Sequence, residues 1–279
     1  NAMLERIQRS WTLTKQSWSV LASDRHLLIF PVLSSIACLI VLASFAVPFV
    51  LTGVLQSTEE LGDVVFTPVR AALLFLFYFI NFFIITYFNS ALIACALNRF
   101  NGQDSSASAG FRAANARLPQ IFAWSGLSAT VGVVLKMLEE RMGLIGAIVI
   151  RLIGMGWAIA SYFVVPVLVV EGVGPIEAVK RSAAVLKRNW GESLITNLGV
   201  GAVTSFALLL AVIPFGIGIV GTVALESVIP VIVGGAVTVI LVIAVSLISS
   251  TLSAVIRAAL YRYATTGEAP PQFEVSMLQ

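Results

Sequence analysis

Six long apolar stretches alternate with short polar segments along this chain, near residues 27–55, 71–97, 118–135, 152–170, 193–213 and 230–256. Crossing the hydrocarbon core of a bilayer takes roughly 20 helical residues, and each stretch is close to that length or above it. None has the short in-out alternation of a barrel strand. The pattern predicts an all-α integral membrane protein with six transmembrane helices. Two polar segments carry a helical period of their own. In residues 4–21, Leu4, Ile7, Trp11, Trp18 and Leu21 recur on one face, with Glu5, Arg6 and Arg9 elsewhere. In residues 175–190, Ile176, Val179, Ala183, Leu186 and Trp190 form a stripe opposite Glu177, Lys180, Arg181, Lys187 and Arg188. Both segments read as amphipathic helices ahead of a membrane span. Pro175 and Glu177 are start residues for the second.

Two patterns occur twice. R-S-x4-K-x2-W spans Arg9 to Trp18 and again Arg181 to Trp190; S-A-[LV]-I-x2-A-L-x-R-[FY] spans Ser90 to Phe100 and again Ser253 to Tyr263. Matched motifs in the same order predict a duplicated unit, an interfacial helix followed by a membrane hairpin. A fainter third copy lies between them. Gly102–Ser106 is a turn and cap signal, Arg112 and Arg117 follow it, and Ser161 precedes Leu168 by the same step that separates Ser90 from Leu97. The expected organisation is one membrane domain over 3–265, with units of about 3–102, 103–172 and 173–265, and a loose tail over 266–279. Asn1-Ala2, ahead of Met3, reads as a tag remnant. An even number of spans separates corresponding elements. The units therefore enter from one face, unlike the halves of inverted-repeat transporters.

Composition narrows the class. Of 279 residues, 58% are apolar and 11% charged, against about 25% charged in soluble domains. Thirteen of the 17 Lys and Arg residues fall on one side of the six spans. The other side has Arg70, Lys136, Arg141 and Arg151. The positive-inside rule then predicts a multi-pass protein of the cytoplasmic (inner) membrane with both termini in the cytoplasm. The basic side suits anionic lipid head groups better than nucleic acid. Cys38 and Cys95 fall inside spans and read as small buried hydrophobes.

The candidate lipid or anion contacts are Arg9, Lys15, Trp18, Lys180, Arg181, Lys187, Arg188 and Trp190, basic and aromatic residues at the water–lipid boundary. Some of the second group could instead pair with Glu171, Glu177 or Glu192. Inside the spans, Asn81 and Asn89 are expected to make interhelical hydrogen bonds, with a polar translocation path as the alternative. Arg151 reads as an interface anchor, an anion ligand or a structural ion-pair partner. Ser246, Ser250 and Ala254 recur at i, i+4 and i+8, a small-residue seam for close helix packing within the chain or in a homo-oligomer. Pro166 and Pro214 are expected to kink or end helices. The glycine-rich stretches Gly143–Gly156 and Pro214–Gly221 read as outer linkers, either turns or segments dipping into the membrane. His26 is the only histidine. No paired-carboxylate motif lies inside a span, and no phosphate loop or nucleophile elbow is present, so no catalytic residue, metal or cofactor is assigned.

The segment Trp157 to Glu171, with Gly174 to Ser182 and Leu186 to Gly191, resembles an uncharacterised family of prokaryotic polytopic membrane proteins. So do Arg9–Trp18 and Ala259–Ala264. The pattern is similar to the membrane domain joined to some glycerophosphodiester phosphodiesterases, whose soluble barrel this sequence lacks. The resemblance implies a membrane fold and transfers no reaction. The expected function is a non-enzymatic one, lipid or small-molecule transport, channel activity or lipid binding. A membrane scaffold or assembly factor is the alternative, and a membrane-embedded lipid enzyme ranks third.

Overall fold

A computed structural model describes residues 24–51, 68–188, 201 and 203–271. These are 88% helical, with no strand among them. Six helices are long and apolar enough to cross a membrane: Arg25–Leu51, Pro68–Phe100, Leu118–Arg141, Ile145–Glu171, Val203–Leu225 and Ile229–Thr266. The expected all-α, six-span membrane class is what the chain forms. By internal packing it divides into two compact units, residues 32–188 and the combination of 1–31 with 189–279.

Unit 32–188 contains most of α1 (Ile29–Leu51) and all of α2 (Pro68–Phe100), α3 (Ala107–Asn115), α4 (Leu118–Arg141), α5 (Leu144–Ala160), α6 (Val164–Glu171) and α7 (Pro175–Arg188). Aromatic rings join its spans. Phe77 of α2 packs on Phe45 and Phe49 of α1 at 5.5 and 5.1 Å, and Phe79 meets Phe122 of α4 edge-on at 4.9 Å. The crowd of aromatics on α2 is therefore helix packing. Burial concentrates at the C-terminal end of α2, where Ser90 through Ala96 are all buried. At 33 residues, α2 is about 50 Å long, well beyond a hydrocarbon core of about 30 Å. Its end turns through Asn101 and Gly102 into α3, which Ser106 caps by accepting from the N–H of Ala109. The turn-and-cap signal at 102–106 is realised as expected.

The other unit is described over residues 24–31, with the short 3-10 turn Arg25–Leu28, and over residues 201 and 203–271, with α8 (Ile213–Leu225) and α9 (Ile229–Thr266). A helical stretch from Val203 leads into α8, and the ladder is interrupted at Val212, two residues before Pro214. Proline supplies no N–H and clashes with the preceding turn, which places the break. The helices α8 and α9 meet backbone to backbone. A Cβ on Gly234 would stand 2.4 Å from the Pro214 carbonyl oxygen, and one on Gly218 would stand 2.6 Å from that of Pro230. Thr238 Oγ1 accepts from the N–H of Phe215 at 3.1 Å, and Thr204 donates to Ser249 Oγ at 2.9 Å. Thr251 to Ala254 and Val255 to Tyr261 are mostly buried near the end of α9.

Both glycine-rich stretches read as linkers are helical instead. Residues Gly146 to Gly156 lie in α5, and Gly216 to Gly221 lie in α8. The turns are short, at Met142–Gly143 and Glu226–Val228. In an apolar helix glycine allows close approach of a neighbouring backbone, and Gly218 and Gly234 serve that end. Residues 52–67, which hold most of the first polar linker, and the segment 4–21 lie outside the described residues.

Candidate functional site

A set of polar contacts between elements lies where α6, α7 and the start of α4 meet, in unit 32–188. It begins with a proline. Pro166 stands in the first turn of α6, and the chain leaves the helix over Ser161–Phe163 just before it. That break frees backbone donors in an apolar setting, where an unmade hydrogen bond costs about 1–3 kcal/mol. Ser182 of α7 reaches across and its Oγ accepts from the buried N–H of Phe163 at 2.9 Å. Ser161 Oγ donates back to the Trp157 carbonyl at 2.8 Å. Trp157 itself stacks on Trp124 of α4, with centroids 5.8 Å apart.

The far end of α6 has the complementary problem, carbonyls without donors. It closes at Gly172 in a left-handed turn, φ 64°. Arg117 Nε donates to the Val169 carbonyl and Gln120 Nε2 to that of Gly172, each at 3.1 Å. The Arg117 guanidinium lies where a side chain on Gly172 would be: a Cβ there would sit 2.3 Å from Nη1. Three residues later α7 starts at Pro175, as its start signals predict. Arg181 donates through Nη1 to Glu171, and through Nε to Glu177 at 3.1 Å. These carboxylates, Glu171 foremost, hold the guanidinium above its ordinary range. Ser182 was read from sequence only as part of a repeated motif, and Gln120 and the Arg117 contact were not singled out. The proline at 166 was the available signal, since an interrupted helix leaves backbone groups that need partners close by.

The sequence candidates separate in this setting. Of the basic residues on α7, Arg181 is committed to Glu171 and Glu177. Lys180 and Lys187 are exposed and make no ion pair among the described residues. Arg188 closes α7. Arg9, Lys15, Trp18 and Trp190 lie outside the described residues. The buried stripe of α7 is Ala178, Ser182 and Leu186, rotated from the apolar stripe read in the sequence, and Ile176 is 65% exposed. The rotation follows from Ser182, a polar residue that faces inward to take up the Phe163 N–H.

Asn81 departs from expectation. Its Nδ2 donates to the Phe77 carbonyl of its own helix at 2.8 Å, and among the described residues it makes no bridge to a neighbouring helix. Asn89, two turns on, is half-buried. Arg151 is an ion-pair partner: Nε donates to Glu139 across the α4–α5 hairpin at 2.9 Å. Lys136 pairs with Glu140 on the next turn at 3.4 Å. The small-residue seam is divided, with Ser246 and Ser250 exposed and Ala254 buried. Among the described residues no group of three or more His, Cys, Asp or Glu side chains is placed to hold a metal.

Residues 68–270, from the start of α2 past the end of α9, match the model of the family of unknown function DUF6159. The chain belongs to that family. No curated protein and no solved structure matches the chain. The family's description names no reaction, and the likeness to glycerophosphodiester phosphodiesterases gains nothing from these comparisons. The α6–α7 junction and its Arg117 and Gln120 caps all lie within the matched region.

Proposed function

We propose that this member of the family is a non-enzymatic membrane protein that engages anionic lipid at its basic side. One observation carries the reading. An amphipathic helix, α7, leaves the end of a membrane span through three residues and keeps two exposed lysines without ion-pair partners among the described residues. Basic residues at that level are attracted to anionic head groups. The sequence holds no catalytic motif, and the polar groups on the spans favour binding over passage. Asn81 donates to its own helix and Arg151 pairs with Glu139 across a hairpin, local contacts that fit a structural role for both. With the charge asymmetry, the orientation proposed is both termini in the cytoplasm.

The test is purification from membranes followed by identification of the retained lipid and a flux assay in liposomes. Enrichment of anionic lipid without flux is the expected result. Flux of lipid or solute would replace binding with transport. Absence of both would turn the reading to the scaffold alternative.

A further inference from the structure

We infer that one edge of α7, formed by Ile176, Lys180 and Lys187, binds anionic phospholipid head groups, and that Arg181 is excluded from it. This rests on the lipid-engaging reading above and names the residues that would carry it. The helix follows a span that ends at Glu171, and the link Gly172–Gly174 reaches about 10 Å at most. The start of α7 is thereby held near the boundary between lipid and water.

Three faces of α7 have three different surroundings. Ala178, Ser182 and Leu186, at i, i+4 and i+8, are at most 6% exposed and face the protein. Glu177 and Arg181 form a second face, turned to Glu171 and joined to it. Ile176, Lys180 and Lys187 make the third, at i, i+4 and i+11. At 100° per residue they fall within about 40° of one another. An exposed isoleucine beside two lysines matches the layering of a membrane surface, where aliphatic atoms take the acyl side and ammonium groups reach the phosphates. The lysines stand roughly 10 Å apart along the helix, far enough for two separate head groups. The occupant inferred is the anionic surface of the bilayer that holds the spans. A free anion would use the lysines and leave Ile176 without a role.

The experiment uses the full chain in detergent, titrated with phosphatidylglycerol or phosphatidylcholine and followed by native mass spectrometry, with melting curves alongside. A charge near an anionic surface contributes about 1 kcal/mol, so K180Q/K187Q is expected to weaken phosphatidylglycerol binding roughly ten-fold or more with Tm unchanged. K180R/K187R should bind as the native chain does. R181Q should melt lower and keep its lipid. Native-strength binding by K180Q/K187Q would overturn the edge and leave the broader reading standing. A native chain without preference for phosphatidylglycerol over phosphatidylcholine would overturn both. Displacement of the lipid by millimolar inorganic phosphate would overturn the lipid source in favour of a free-anion site. Loss of lipid binding by R181Q at unchanged Tm would overturn the division between the faces.

Discussion

Single residues in this chain are spent largely on repairing what its prolines and helix ends leave undone. Ser182 is the clearest case, because the N–H it accepts is buried and its helix was broken by Pro166. Ser182→Ala should cost about 1–3 kcal/mol, the penalty of a buried donor without an acceptor, and appear as a lower Tm in detergent. An unchanged Tm would mean that the break is satisfied another way. Gly172 is a second case. Its left-handed φ strains any residue with a Cβ by about 1–2 kcal/mol, and Arg117 occupies the space besides. Gly102 has a similar φ of 69° with open space around it. Gly172→Ala should therefore melt distinctly lower than Gly102→Ala, and equal losses would remove the Arg117 contact from the explanation.

The same logic recurs in whole elements, where glycine sets how closely helices approach. On α8 and α9 the obstacles to a side chain at Gly218 and Gly234 are backbone atoms, which cannot swing aside. Ala at either position should force the hairpin apart and lower Tm, whereas Gly216→Ala, with nothing within 4 Å of its Cβ, should be tolerated. Melting curves of the three variants decide this. These elements also mark where sequence reading succeeded and failed. The spans were legible because the bilayer imposes a length of apolar helix, and the turn at 102–106 because Gly and Ser each have a backbone reason to be there. The stretches 146–156 and 214–221 were misread as linkers, whereas Gly143 does stand in a turn. Glycine signals turns in water, but in an apolar helix it signals proximity, and which meaning holds depends on a partner helix the local sequence does not contain. The Arg151–Glu139 pair was obscured for a related reason. Its members meet only once the chain reverses at Met142–Gly143. On α7 the periodicity was right but the face was turned, since Ser182 counts as polar by type and is buried by task.

For the whole molecule, the described residues hold three glycines with positive φ, Gly102, Gly172 and Gly267. Each follows the last helix of the second, fourth or sixth span. Glycine at such an end turns the chain without the strain that a Cβ would bring. The charge asymmetry of the sequence is the basis for proposing that Ser106 and Gly267 face the cytoplasm. Cysteines introduced at Ser106 and Gly267 should be shielded from an impermeant thiol reagent in whole cells, while one at Met142 should be labelled. Labelling at Gly267 would reverse the topology. The central claim, that α7 lies at the membrane surface with its Ile176–Lys187 edge toward lipid, is tested most directly by nitroxide labels on α7 in liposomes, with Cys38 and Cys95 replaced. Labels at 176 and 180 should collide with oxygen dissolved in the bilayer, one at 184 with aqueous nickel complexes, and one at 178 should be immobilised. Aqueous contact at 176 and 180 equal to that at 184 would contradict the account.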